Sequence, residues 1–180
     1  MARSGDQTRT LDARLKRLAE NIETLAQKDQ SLMVRAREIQ AVRRIAAERL
    51  YRICGDFVAA VNSLVTNGEV VLSPASSDDD TFDENAVNMI QINVRGRILQ
   101  VEFEATPELV STEDFRIPYT LHGTVRAFNQ QLLDKDLIEE QLIFYTVDRG
   151  RTMWRFFDGR TYRSGPFDQE YLVTLMEQII

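Results

Sequence analysis

The sequence predicts an α+β fold: a long N-terminal helix, or helical hairpin, with a heptad stripe, then an antiparallel β-sheet of about five to seven strands and a C-terminal helix. Three observations predict it. Apolar residues recur every three or four positions from Leu11 to about Asn67, they alternate with polar residues from residue 87 onward, and the helical period returns after Pro166. An antiparallel sheet with one face covered by helices satisfies this order of elements.

The N-terminal segment 11–67 contains no proline, and Gly55 is its one internal glycine. Thr10 suits a helix N-cap, Asn67-Gly68 suits a stop, and residues 1–10 are predicted to be a disordered tail. A helix broken near Lys28–Ser31 remains an alternative to one continuous helix. Two interleaved sets of positions form the stripe: Leu11, Leu18, Leu25, Leu32, Ile39, Ala46, Ile53 and Ala60, and Leu15, Ile22, Asp29, Ala36, Arg43, Leu50, Phe57 and Leu64.

The stripe predicts a packing partner, because long apolar stripes on helices usually find one. A parallel in-register pair would set Asp29 against Asp29 and Arg43 against Arg43, which is costly. An antiparallel pair centred on Ala36 brings each of these charges near its opposite and is preferred. Packing of the stripe on the protein's own sheet is the third possibility. We therefore expect a homo-oligomer, most simply a dimer.

The C-terminal part, 69–180, is predicted to hold the sheet and the last helix, after an acidic flexible loop at 74–86. Asp158-Gly159 suits a type I′ turn into a last strand, RTYR, and the last helix has the stripe Leu172, Leu175, Met176 and Ile179. Residues 129–140 are either a short helix or a polar connection. The other strands are predicted at 87–94, 98–105, 117–128, 142–147 and 151–157.

Charge is unevenly divided along the chain. The net charge is −6, but 12 Lys and Arg stand against 8 Asp and Glu through Gly68, whereas 10 stand against 20 beyond it. Six arginines lie within 33–53, yet on a helical wheel they do not share one face, so nucleic-acid binding through this helix is a minor alternative. We expect their stems to cover apolar surface and their guanidinium groups to reach carboxylates of the acidic half, in the same chain or in a second copy. No apolar run approaches the roughly 18 residues of a membrane span, and the N-terminus has no signal-peptide pattern. A soluble, cytoplasmic protein is expected.

Residues with catalytic or metal-binding chemistry are scarce. His122 is the only histidine and Cys54 the only cysteine, and no phosphate-binding or nucleophile motif occurs. Asp78, Asp80 and Asp83 fail the spacing of a calcium loop. Glu102 and Glu104 alternate with apolar residues, as on the solvent face of a strand. The sequence therefore predicts no catalytic residue, no cofactor and no metal site, and it leans away from an enzyme.

The favoured function is a non-catalytic interaction or assembly protein of a chaperone- or adaptor-like kind. It would self-associate through the N-terminal helix and present an acidic sheet domain to a protein or peptide partner. A small-ligand binder or enzyme with a pocket between sheet and helix is the alternative. The candidate interaction residues are Leu18, Ile22, Leu25, Asp29, Leu32, Arg35, Ile39, Arg43 and Arg49 of the helix, and Trp154, Arg155, Arg160 and Arg163 of the arginine-rich hairpin.

Overall fold

A computed structural model describes residues 4–76, 82–129 and 137–180, with the backbone alone for 4–10, 137 and 138. The described elements are α1 (Ser4–Leu64), β1 (Val71–Ser73), β2 (Asn88–Val94), β3 (Arg97–Val110), β4 (Tyr119–Asn129), β5 (Leu137–Asp148), β6 (Arg151–Asp158), β7 (Arg163–Pro166) and α2 (Gln169–Glu177).

The seven described strands form one antiparallel sheet in the order β1 to β7, so each strand pairs with its neighbour in sequence. The predicted α+β class is therefore confirmed, with a long N-terminal helix and a C-terminal helix. Contacts divide the chain into two compact units, one ending at Ala41 and one running from Val42 to Ile180, and α1 contributes to both. We call these the helical unit and the sheet unit.

α1 is one continuous helix, so the alternative of a helix broken near residues 28–31 is wrong. Its first residue is Ser4, so Thr10 is not the N-cap and residues 4–10, predicted as a tail, are helical. The hydroxyl of Ser31 donates to the carbonyl of Lys28, at 2.8 Å. Bonding back to its own helix lets this polar residue remain within the helix.

The part of α1 from Val42 to Leu64 is the centre of the sheet unit. Its buried face carries small and apolar side chains that pack on the inner face of the sheet. The buried apolar positions of α1 are Ala46, Ala47, Leu50, Cys54, Phe57 and Val58. Full burial of a side chain such as Leu50 stabilises the fold by about 1.5–3 kcal/mol.

The terminal helix α2 covers the same inner face, and its predicted stripe of Leu172, Leu175, Met176 and Ile179 is buried. Asp168 is its N-cap, because its carboxylate accepts from the backbone N–H of Tyr171 at 3.0 Å. Phe167, just before this cap, is buried in the same core.

The other face of the sheet has a smaller aromatic cluster formed by Phe115, Tyr119, Phe144 and Phe157. The Phe115 and Phe144 rings stack with centroids 4.3 Å apart. Strands β4 to β6 therefore bury side chains on both faces, which is why their sequences alternate less cleanly than that of β3.

Two hairpins turn on arginine-glycine pairs. Arg95 and Gly96 join β2 to β3, and Arg149 and Gly150 join β5 to β6, all four with positive φ. Positive φ at both central residues is the requirement of a type I′ turn, and glycine meets it without strain.

The turn predicted at Asp158-Gly159 is different. The Asp158 carboxylate accepts from the backbone N–H of Arg160 at 2.9 Å and from the hydroxyl of Thr161 at 2.8 Å. These bonds stabilise a four-residue loop, in which Tyr162 has positive φ, and β7 begins at Arg163. The predicted two-residue turn is therefore wrong, and the last strand lies three residues later than RTYR begins.

Residues 137–140 of the uncertain segment 129–140 belong to β5, whereas residues 130–136 lie outside the described part of the chain. The acidic run with Asp78 and Asp80 lies outside it too.

The core position of α1 generates a prediction about truncation. We expect a chain of residues 42–180 to unfold cooperatively. A chain of residues 69–180 should not fold, because it lacks Leu50, Phe57 and the other α1 residues that fill the core. Circular dichroism during urea titration measures both. Cooperative unfolding of 69–180 would contradict this account of the core.

Candidate functional site

The most extensive exposed apolar surface of the helical unit is the stripe of α1. Every side chain from Leu11 to Ala41 except Ile39 is exposed. The large apolar residues of the stripe and its flank are 52–60 % exposed: Leu11, Leu15, Leu18, Ile22, Leu25, Leu32 and Met33. Since the stability of a helix in a protein comes mostly from packing of its apolar face, this segment lacks the cover that its sequence requires.

The described helical unit presents the predicted site residues Leu18, Ile22, Leu25, Asp29, Leu32 and Arg35 on the exposed part of α1, with Ile39 half-buried. Burying the remaining half of one leucine is worth about 1 kcal/mol, so several such residues suffice for association. We call residues 11–39 of this face the open stripe.

Arg43, the next position of the stripe, is not part of the open stripe, because it is buried in the sheet unit and only 7 % exposed. Its guanidinium donates to the Glu84 carboxylate, to the Thr106 carbonyl and, through Nε, to Thr120 Oγ1 at 2.9 Å. Glu84 therefore neutralises this buried charge.

The position of Arg43 corrects one part of the sequence-based reasoning. An antiparallel pair centred on Ala36 needs Arg43 to reach Asp29 of a second copy, but its side chain is bound within its own chain. Repulsion between two copies of Arg43 likewise no longer argues against a parallel pair. Nothing in the local sequence marks Glu84 as the partner, because it lies 41 residues away in a polar loop.

Arg49 and Trp154 connect α1 to the sheet and are not free contact residues. Arg49 Nη1 donates to Tyr145 Oη and Thr152 Oγ1, each at 3.1 Å, and to the Thr152 carbonyl at 3.2 Å. The indole N–H of Trp154 donates to the Ala46 carbonyl at 2.7 Å, and its ring meets Phe103 edge to face. Trp154 is 3 % exposed, so it is a core residue.

The three candidate arginines of the hairpin, Arg155, Arg160 and Arg163, do not converge on one anion site. Arg155 donates through Nε to Ser164 Oγ at 3.3 Å, and Arg160 Nη2 lies 2.7 Å from Glu139 Oε1. Arg163 is exposed at the start of β7.

The two hydrogen bonds to Asp158, first from the Arg160 backbone and then from Thr161, lower the pKa of the Asp158 carboxyl.

The outer face of the sheet carries Glu102 and Glu104, as the alternation predicts. Glu104 Oε1 lies 3.3 Å from His122 Nε2, and Glu102 Oε2 lies 3.6 Å from Arg126 Nη1. Arg126 also binds Glu140 at 2.6 Å. These contacts form a network of polar side chains on the outer face, in which Arg126 pairs with Glu102 and Glu140.

Gly123 is a position whose importance the sequence did not indicate. A Cβ atom there would lie 1.9 Å from the Glu102 carbonyl oxygen, so strands β3 and β4 approach closely only with glycine at 123.

Two cavities of the sheet unit bear on small-ligand binding. One, of about 440 Å³, lies between α1 and β2–β3 and is lined by Arg44, Tyr51, Asp56, Phe82 and Phe103, among others. The other, of about 370 Å³, lies on the outer face and is lined by aromatic rings and His122. Among the described residues, no group of three His, Cys, Asp or Glu side chains is placed to hold a metal ion.

Burial raises the pKa of the Cys54 thiol to about 12. Burial also raises the pKa of the Tyr171 phenol, and the Glu139 and Asp158 carboxylates add to that effect. A protonated, enclosed thiol is a packing group and not a nucleophile.

No protein-family model, curated protein or solved structure matches this chain. In the described segments, neither helix combines the length and the apolar character that crossing a membrane requires.

Removing the charge of Arg43 tests the buried ion pair. Arg43→Met keeps much of the apolar stem but leaves Glu84 without its cation, and we expect it to lower the free energy of unfolding by about 2–4 kcal/mol. Urea titration measures the loss. Arg44→Met, one residue along on the exposed side of α1, is the matched control and should change stability by less than about 0.5 kcal/mol. Equal effects of the two variants would contradict the assigned role of Arg43.

The buried thiol gives a pH prediction. The unfolded chain loses the Cys54 proton near pH 9, whereas the folded chain keeps it until about pH 12. Between these values the unfolded state binds fewer protons, so stability should fall as pH rises, by at most about 1.4 kcal/mol per pH unit from this group. Urea titrations at several pH values should show a shallower fall for Cys54→Ala than for the native chain. An identical pH dependence in both chains would refute the prediction.

Proposed function

We propose that this protein is a non-catalytic assembly protein that associates with a second copy of itself through the open stripe. The single observation that carries the proposal is the exposure of the stripe's large apolar side chains along Leu11–Leu32. These side chains recur at coiled-coil spacing, with leucine at Leu11, Leu18, Leu25 and Leu32. A water-exposed helix of this pattern gains most by packing against another one.

A second copy is the occupant best matched to this surface. The stripe keeps its spacing of three and four residues over 11–39, and the same surface is present on every copy. Small residues flank it at Ala19 and Ala26, which permits close approach of a second helix.

The sheet unit is then the part that such an assembly presents to a further partner. The chain beyond Gly68 carries 20 Asp and Glu against 10 Lys and Arg. This excess favours a basic protein or peptide over nucleic acid, because opposite charge speeds encounter and like charge slows it.

Small-ligand binding is the second candidate, supported by the 440 Å³ cavity beside Phe103. Its helical wall alternates in charge through Arg44, Glu48, Arg52 and Asp56. Residues four apart on a helix neutralise one another, so this wall offers no net charge to select an ionic ligand.

A pair of variants with equal charge tests self-association. Leu25→Lys places an ammonium group in the open stripe, whereas Gln27→Lys places one on the opposite, polar face of the same helix. We expect Leu25→Lys to raise the dissociation constant of self-association at least about tenfold, the effect of 1.4 kcal/mol, and Gln27→Lys to leave it within about twofold.

Sedimentation equilibrium over a range of protein concentrations measures both constants, and far-ultraviolet circular dichroism checks that both variants remain helical. A native chain that stays monomeric up to millimolar concentration, or equal effects of the two lysines, would show the proposal to be wrong.

A further inference from the structure

We infer that the second copy binds the open stripe in antiparallel orientation, with the two-fold centre between Glu23 and Thr24 of each chain. This inference rests on the proposed self-association and specifies the register of that pairing. It replaces the centre at Ala36, which the binding of Arg43 to Glu84 rules out.

The limits of the accessible helix set the register. From Arg43 onward the stripe is covered by the chain's own sheet, with Ala46 and Leu50 fully buried, so a second helix has access only up to Val42. At the other end α1 begins at Ser4. An antiparallel pair that uses this whole segment places Gly5, near the start of α1 in one copy, beside Val42 of the other.

The stripe residues then meet in matched layers. Leu15 of one copy faces Leu32 of the other, and Ile22 faces Leu25. The remaining layers are Leu11 with Ala36 and Leu18 with Asp29. Each layer occurs twice because the pair is symmetric. The large residue Leu11 faces the small residue Ala36, and the large residue Leu18 faces the charged residue Asp29.

Asp29, the one charged residue of the open stripe, favours this orientation. It faces Leu18 of the second copy, and Arg14 and Asn21 of that copy lie about one turn away on either side, along the same flank. A guanidinium and an amide N–H are therefore within reach of the carboxylate. In a parallel in-register pair the carboxylate would face another carboxylate.

The two flanks of the pair are compatible with this register. Ala19 of one copy lies beside Ala26 of the other, which allows close approach of the backbones on that side. On the other side Arg14 lies near Arg35 of the second copy, and the Asp29 carboxylate of that second copy, within reach of Arg14, offsets part of this repulsion.

A register shifted by one heptad is less favourable. It would face Leu15 with Ile39 and Ile22 with Leu32, and it would run the first residues of one helix alongside 43–50 of the other. The stripe there is already buried under the sheet.

Disulfide trapping between flank positions tests the register with minimal change of side-chain volume. In the proposed register position 19 of one copy lies beside position 26 of the other. Two copies of position 26 are about 7.5 Å apart along the axis and two copies of position 19 about 13.5 Å, both too far for an unstrained disulfide. An equimolar mixture of full-length Ala19→Cys and Ala26→Cys, oxidised with glutathione disulfide, should give at least tenfold more disulfide-linked dimer than either variant alone. The native Cys54 stays in place, since it is buried.

Each alternative gives a different result. Strong self-crosslinking of Ala26→Cys alone indicates the shifted register, and self-crosslinking of Leu18→Cys alone indicates a parallel pair. Either result overturns the inference while self-association stands. Gln27→Cys, on the polar face, gives the background level. If sedimentation shows the reduced native chain to be monomeric, the proposed function fails together with the inference. If it is a dimer and the mixture yields only the background level, the inference alone fails.

Discussion

The sheet of this protein depends on one segment of α1 that serves as its inner layer. Seven strands in sequence order expose a broad apolar inner face, and α2 is too short to cover it alone. Leu50, Cys54 and Phe57 cover the rest, and the bonds of Arg43, Arg49 and Trp154 fix the rotation of the helix about its axis. A helix held at three polar points cannot turn to present another face without breaking several buried hydrogen bonds.

That constraint divides the stripe of α1 between two uses. From Arg43 on, the stripe forms the core of its own chain, and up to Ile39 it is open. A charged residue at the boundary is costly in a core unless it is paired, and Glu84 and the acceptors on Thr106 and Thr120 supply that pairing. The same charge would be a poor neighbour in a helix-helix seam, so Arg43 suits only one of the two uses.

Much of the fold could be predicted from the sequence because its signals are local. Heptad spacing predicted α1, alternation predicted the positions of β2 to β6, and the stripe Leu172–Ile179 predicted the buried face of α2. The turn at Asp158 was missed because its geometry is set by side-chain bonds to Arg160 and Thr161. That an arginine of this helix binds a carboxylate of the acidic half agrees with the sequence-based expectation, as Arg43 and Glu84 show. The particular acceptors of Arg43 and Arg49 could not be predicted, because they lie 41 to 103 residues away, where no spacing rule applies. The exposure of Leu18 to Leu32 could not be predicted from the heptad spacing or from the strand alternation, since an apolar stripe can be covered by its own sheet or left open.

The separation of these contacts in sequence also matters during synthesis. The carbonyl of Ala46 accepts a hydrogen bond from Trp154, which is synthesised 108 residues later, and Arg43 donates to Thr120, which is synthesised 77 residues later. The strands pair with their immediate neighbours and so can form one hairpin at a time, whereas α1 emerges from the ribosome long before its cover. During that interval the whole face from Leu11 to Leu64 is open to another nascent chain. An unpaired charge such as that of Arg43 is costly in an apolar helix–helix seam, and this cost disfavours the extension of a second helix over Leu50 and Phe57 before the sheet is made.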